Sequence, residues 1–315
     1  MPTADDIRWF KQQFSSQIQP ALSGTPFDVD MLVAIACQET GEIWPILRRK
    51  GLALDRITAL CVGDTIDFQG PRKGRQAFPK NKDELIAAAN GQAMFEVARS
   101  ALDDMAKFIP GYASSVANPN KFCHGFGVFQ RDIQFFKDDP GYFLDRRYEK
   151  FGESLTQALN ELRSGLKTVR LQNRPSITDL EFASVAIAYN TGGFNPAKGL
   201  KQGFFDGEKF YGERIADFLN LSRSVQVAAQ LAPGHYVVMA RGGLKLRGGP
   251  GTNFESQKTL PAGTELNVVS ISTQDPAWAQ VDLEGDSLAD GYVFASFLAP
   301  AGQAIGQGEA APEPS

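Results

Sequence analysis

DVDMLVAIACQETGEIW, residues Asp28 to Trp44, decides how the larger part of the chain is read. Met31 to Ala36 is an uninterrupted apolar run. Acidic residues precede it, which suits the positive end of a helix, and Gly41 supplies a stop. The stretch predicts a helix over Asp28 to Thr40, apolar on nearly every side and therefore buried. Glu39 falls on its last turn. A carboxylate in that place must be solvated, paired, or held at an altered pKa. Taken alone, it reads as a helix-end charge that reaches out to water.

Helical periodicity continues on either side. Asp5 to Gln17, followed by Ile18, carries Ile7, Phe10, Phe14 and Ile18 at spacings of three and four, one apolar stripe. Lys82 to Phe108 (Leu85, Met94, Val97, Leu102, Met105) predicts one long helix ending before Pro110. Gly152 to Val169, Thr178 to Asn190 and Lys209 to Ala229 predict three more. Asp64 to Pro79, with its GPRKGRQAFP, is glycine-rich and basic and reads as a loop. At Ala232-Pro233-Gly234 the texture changes. HYVVMA, LKLR, TELNVVSIS, WAQVDL and GYVFASFL are short, β-branched or alternating, and separated by Gly, Pro, Asn and Asp. They predict a small all-β barrel or sandwich. The tail from Ala301 is too poor in apolar residues to pack and reads as disordered. The expected architecture is multidomain: a mainly α domain over 1–230, a small all-β domain over 234–300, and a tail over 301–315.

Composition narrows the function classes. With 315 residues, 43% hydrophobic and 22% charged, the chain has room for two soluble cores. Net charge is −4. From Leu231 onward there are 4 basic and 9 acidic residues, leaving 28 and 27 before it. Neither part has the basic excess of a nucleic-acid binder. No apolar run reaches the ~18 residues of a spanning helix. MPTADDIRWFKQQF is charged and amphipathic and lacks a signal-peptide pattern, so the expectation is synthesis in the cytoplasm and release by another route. Three widely spaced cysteines, Cys37, Cys61 and Cys123, read as buried reduced thiols. With only His124 and His235 beside them, neither a disulfide framework nor a metal centre is expected, and no cofactor is implied.

Two further stretches change the reading of Glu39. His124-Gly-Phe-Gly-Val-Phe-Gln130 places an amide at the end of an apolar, glycine-turned run. Ala186-Ile-Ala-Tyr-Asn-Thr-Gly-Gly193 is an apolar helix end finishing in a phenol and an amide. If these ends converge with Glu39, they line a cleft with one acid, two amides and a phenol. That inventory suits a polyhydroxylated substrate bearing amide groups.

In this order, E-T, G-V-F-Q and A-Y-N-T-G-G, the motifs over Asp28 to Leu219 resemble the lysozyme-like superfamily. The similarity is greatest to the lytic transglycosylase and goose-type lysozyme branch, with its E-S, G-L-M-Q and A-Y-N-A-G. Thr40 stands for the usual Ser and Phe129 for Met, and the Gly41 to Cys123 insertion is longer than usual. The resemblance implies that Glu39 is the catalytic acid and that Phe129, Gln130, Tyr189 and Asn190 contact the substrate. An acid in an apolar pocket has its pKa raised by desolvation, stays protonated near neutrality, and can protonate a glycosidic oxygen. Two-carboxylate hydrolysis would need a second acidic group. Asp64, Asp67 and Asp132 are the candidates, and Asp132, two residues from Gln130, is the foremost. In the transglycosylase branch the sugar's own N-acetyl group and 6-hydroxyl do that work and leave a 1,6-anhydro end.

Other features read more plainly. Arg48-Arg49-Lys50 and Arg72-Lys73-Gly74-Arg75 could meet an anionic wall polymer but read first as a solvated face. Trp9 and Trp44 could stack on sugars, though core filling is the simpler reading. Phe210 and Tyr211 read as helix packing.

In the β region, Leu244-Lys-Leu-Arg-Gly-Gly-Pro-Gly-Thr-Asn-Phe254 resembles the opening of a bacterial SH3 domain. Leu260-Pro-Ala-Gly-Thr-Glu-Leu266, Trp278 and Gly291-Tyr-Val293 resemble its turn, tryptophan and later strand. Such modules commonly bind wall peptides, and the acidic balance here suits a basic or amine-bearing one. Together the resemblances imply a glycosidase that cuts the β-1,4 bond between N-acetylmuramic acid and N-acetylglucosamine in peptidoglycan, by hydrolysis or transglycosylation. Its expected partners are glycan strands and wall peptides, with no nucleic acid and no membrane span. The implied setting is that of a phage-type lysin or an exported effector. A chitinase- or chitosanase-like enzyme and a non-catalytic wall-binding protein are the competing readings.

Overall fold

The sequence patterns turn into eleven helices and ten strands in a computed structural model that describes residues 1–66, 75, 77–225, 231, 233–240, 242–274 and 278–301. Asp67 and the tail beyond Ala301 lie outside the described residues. Two compact units result, Met1–Phe10 with Gln17–Val225, and Lys11–Ser16 with Gln226–Ser315.

The first unit is largely helical. In chain order its helices are α1 (Ala4–Ala21), α2 (Val29–Thr40), α3 (Trp44–Arg49), α4 (Leu54–Ala59), α5 (Lys82–Ile86), α6 (Gly91–Ala106), α7 (Ala113–Val116), α8 (Pro140–Leu144), α9 (Phe151–Thr168), α10 (Asp179–Thr191) and α11 (Tyr211–Ser224). α2 begins where Asp28 accepts the Met31 amide at 3.0 Å and stops at Gly41. Every residue from Met31 to Cys37 is buried. The expected single helix over Lys82 to Phe108 is in fact two. Asn90 adopts a left-handed conformation (φ 56°) between α5 and α6, which breaks the ladder. The last expected helix starts later, at Tyr211, and α11 ends at Ser224, while residues 226–229 of the expected span lie outside the described residues.

α2 packs against α11, α11 against α10, and α10 against α9. Two hydrogen bonds fix the α2–α11 register. Ser222 Oγ donates to Asp30 Oδ1 at 2.6 Å near one end, and Tyr211 Oη donates to Glu39 Oε1 at 2.7 Å at the other. Arg223 adds charge-assisted bonds to Asp28 at 2.9 Å and to Asp179 at 2.6 Å, so all three helices share one latch.

A small antiparallel sheet completes the frame: β1 (Val62–Ile66), β2 (Phe122–Phe126) and β3 (Arg131–Asp132), in that order. Gly63 on β1 faces Gly125 on β2. Residues 64–66 of β1 fall in the stretch that was expected to be a loop.

Trp44 is 1% exposed and donates its indole N–H to Ala36 O at 3.3 Å, which makes it core. The basic run beside it also has a structural job. Arg48 and Arg49 both bind Asp6, at 3.1 and 3.0 Å, and Asp6 itself is only 2% exposed. Among the described residues no helix is long and apolar enough to cross a membrane.

The second unit is one antiparallel sheet in the order β10-β4-β7-β8-β9-β5-β6. Its strands are β4 (Gly234–Val238), β5 (Leu244–Arg247), β6 (Ser256–Leu260), β7 (Glu265–Ile271), β8 (Trp278–Asp282), β9 (Gly291–Phe294) and β10 (Leu298–Pro300). Alternate residues point inward, so Val238, Leu244, Leu246, Leu266, Val268, Val281 and Val293 share one core. Arg247 is 6% exposed and donates to the carbonyls of Thr252 (3.2 Å) and Phe254 (2.8 Å). It thereby holds the Gly-Pro-Gly-Thr-Asn loop closed, with its guanidinium 6.0 Å from the Trp278 ring centre. Asp282 does the same for the turn between β8 and β9, accepting the amides of Glu284, Gly285 and Ser287.

Candidate active site

The three sequence stretches meet at one turn, Gly127 to Gln130. Thr40, one residue beyond Glu39, donates to Val128 O at 2.7 Å. Tyr189 Oη donates to Phe129 O at 2.5 Å. Gln130 takes a left-handed conformation (φ 51°) that folds its side chain back over the sheet. There its amide nitrogen donates to Gly127 O at 2.9 Å and Cys61 O at 3.3 Å. A Cβ at Gly125 would come within 2.2 Å of Gln130 Oε1, and one at Gly63 within 2.9 Å. The facing glycines are the floor on which that amide lies.

These bonds redistribute the expected roles. Phe129 was expected among the substrate contacts, but its side chain is 1% exposed and packs on Phe151 with ring centres 5.8 Å apart. Burial removes it from any ligand, and its contribution is the backbone carbonyl that seats Tyr189. Gln130 gives its amide hydrogens to the backbone and Tyr189 gives its hydroxyl hydrogen likewise, so both hold the turn in place. Asn190 is different: it is exposed at the end of α10, with its amide oxygen over Gly203.

Glu39 is partly exposed, yet protein crowds most of its carboxyl group. Burial pushes its pKa from 4.5 up to about 8. The Tyr211 hydroxyl bond pulls against that rise, while the negative charges of Asp64 and Glu161 add to it. The sequence reading of Tyr211 as helix packing is thus incomplete, since its hydroxyl donates a hydrogen bond to the acid. Burial, and then the Glu39 charge, drive the Tyr211 phenol well above 10, so it stays a proton donor.

Glu161 on α9 was not singled out from the sequence. It pairs with Arg131 at 2.9 Å, and burial raises its pKa to about 7 despite that charge. Its field reaches Glu39, Tyr189 and Tyr211.

Asp132, the foremost second carboxylate from sequence, has other partners. Both its oxygens are gripped by Arg75, Oδ2 lies 3.1 Å from His124 Nδ1, and Oδ1 accepts the Gln134 amide at 2.7 Å. Burial would raise its pKa, but the His124 and Arg75 bonds outweigh that and hold it below the usual carboxylate value. The acidic groups that press on Glu39 are instead Asp64 and Glu161. Asp64 is 74% exposed in its side chain and sits on β1 in a left-handed conformation (φ 43°). Among the described residues, no group of His, Cys, Asp and Glu is arranged to hold a metal ion.

The second unit answers to a known family. Residues 242–299 match the bacterial SH3 domain. That segment covers β5 to β9, including Arg247, Trp278 and the Gly291-Tyr-Val293 strand read from the sequence. No curated protein and no solved structure matches the chain. A bacterial SH3 domain suggests a cell-wall-binding role for this unit.

Proposed function

We propose that the protein is a peptidoglycan-cleaving glycosidase with a lysozyme-like helical domain, in which Glu39 is the general acid and the SH3 domain binds the wall. The observation that carries this reading is the Glu39 carboxyl: protonated up to about pH 8, partly open to solvent, and aimed by the Tyr211 hydroxyl at 2.7 Å. A carboxylic acid that keeps its proton at neutral pH can deliver it to a glycosidic oxygen as the bond breaks. The motif resemblance supplies the substrate class, and the SH3 match is consistent with the same polymer.

Around the acid, Thr40, Tyr189 and Gln130 hold the Gly127–Gln130 turn, and Asn190 offers an exposed amide for acetamido or hydroxyl groups. Asp64 and Glu161 are the carboxylates whose charges reach Glu39, and they replace Asp132 as candidates to activate water or stabilise positive charge at the sugar. If neither acts, the substrate's own N-acetyl group and 6-hydroxyl complete a transglycosylation.

Mass spectrometry of sacculi digested with the full-length protein tests the proposal. Muropeptides with new reducing ends identify a muramidase, and 1,6-anhydro ends a lytic transglycosylase. Intact sacculi, with no product after prolonged digestion at pH 6 to 7, would leave a wall-binding protein without this activity.

A further inference from the structure

Beside the site runs a short braced hairpin. Phe205 and Phe210 form an antiparallel bridge with their rings 4.9 Å apart. Asp206 closes the turn between them by accepting the amides of Glu208 and Lys209, both at 2.9 Å. Arg214, 9% exposed, then fastens the turn to α11 through Asp206 at 2.7 Å and Glu208 at 2.5 Å. The hairpin joins the site directly. Tyr211 donates its backbone N–H to Phe204 O at 2.8 Å, and its side chain carries the bond to Glu39. Gly203, at φ 83°, lies against both Asn190 and Tyr211: a Cβ there would come within 3.1 Å of Asn190 Oδ1 and 2.6 Å of Tyr211 Cβ.

On this fixed support the aromatic side chains are left in solvent. Phe204 is 69% exposed and Phe205 49% exposed, although large apolar side chains normally contribute through burial. With its carbonyl tied to the Tyr211 N–H, Phe204 leaves a flat apolar ring in solvent one residue from Gly203, against which the exposed Asn190 amide lies. A pyranose has the matching chemistry, with an apolar C–H face for an aromatic ring and a polar rim for an amide.

We propose that Phe204, backed by Phe205, is a sugar-stacking residue that holds one pyranose of the glycan strand at the edge of the Glu39 site. This rests on the glycosidase reading and adds a specificity-determining residue to it. Phe204 acts on binding, because its carbonyl is tied to the backbone of Tyr211, the residue that bonds Glu39, and its ring offers nothing to proton transfer.

The test uses the full chain carrying Glu39→Gln, which cannot consume its ligand, titrated calorimetrically with peptide-free glycan strands of alternating N-acetylglucosamine and N-acetylmuramic acid. Phe204→Ala should weaken Kd by about tenfold, the loss of one aromatic contact, and Phe204→Trp should restore it. In the chain with Glu39 intact, Phe204→Ala should raise KM on the same strands far more than it lowers kcat. An unchanged Kd and KM, with cutting intact in the parent, would refute the stacking role and leave the glycosidase reading standing. Loss of self-association on Phe204→Ala without a change in Kd would assign the patch to a second copy of the chain. A parent that neither binds nor cuts the strands would remove the glycosidase reading and this proposal with it.

Discussion

Tyr211→Phe deletes one hydroxyl and leaves the ring that packs the start of α11. Its consequence for the acid has a definite sign. The hydroxyl donates to Glu39 Oε1 at 2.7 Å and favours the charged carboxylate, so it holds the pKa down against burial. Without it, the burial of Glu39 and the charges of Asp64 and Glu161 act unopposed, and the pKa rises above about 8. A hydrogen bond to a charged group contributes about 1.5 to 3 kcal/mol. Because Glu39 is partly exposed, the lower end applies, which corresponds to roughly one pH unit. The assay is the pH dependence of kcat/KM on soluble peptide-free strands, read from about pH 5 to about pH 10. The descending limb should move from near 8 toward 9 in the variant. The rate on the plateau should fall, by about tenfold, because the carboxyl loses the hydrogen bond that orients it. A limb that stays in place, or one that moves to lower pH, would show that Tyr211 does not set the acid and that another group titrates.

Glu39→Gln should reduce activity by a factor on the order of 10² or more, since the amide has no proton to transfer. The same variant should melt higher than the parent at pH 8 and converge with it toward pH 4.5. Between those values the folded parent alone holds the Glu39 proton, so its stability falls as pH rises through that window, and calorimetry across it reads the difference. Gln130→Ala should cost about 1 to 3 kcal/mol of stability, measurable by urea unfolding, because the Cys61 carbonyl loses the amide that donates to it and the Gly127 carbonyl keeps only the Gln130 backbone N–H. Asn190→Ala, at an exposed position, should leave the melting temperature in place and lower turnover by about tenfold. A chain ending at Val225 should cut soluble strands at the parent rate but intact walls more slowly, because a tethered binding domain raises local concentration. Equal rates on whole walls would separate the SH3 domain from targeting.

What could be read from sequence follows the range of the forces involved. The bounds of α2 were legible because Asp28 and Gly41 act within a few residues of the ends they set. The break between α5 and α6 was not, since the Met94 to Met105 stripe masks one left-handed Asn90. The Gly127–Gln130 turn was recognisable by motif, but the direction of its side chains was not. Phe129 faces inward and Gln130 binds backbone because of contacts with Phe151 and Cys61, both remote in sequence. Tyr211 is the clearest case: its partner Glu39 lies 172 residues away, and no local pattern marks it. Glu161 is equally silent, one carboxylate on an amphipathic helix until α9 docks on α10. The β unit was read more fully, because alternation and the Arg247, Trp278 and Gly291 positions are local marks of strands and turns.

The three thiols have a practical use. Cys37, Cys61 and Cys123 form no disulfide and are buried, and all belong to the helical unit. Burial pushes the Cys61 thiol up to about 12 and the Cys123 thiol higher still, so neither offers a thiolate to an alkylating reagent in the folded chain. The SH3 unit holds no cysteine at all. Alkylation with a small maleimide therefore counts openings of the helical unit alone, in the intact protein and without any introduced label. Its rate, followed with and without added glycan, would report how strongly a ligand protects the helices around Glu39, whether or not a bond is cut.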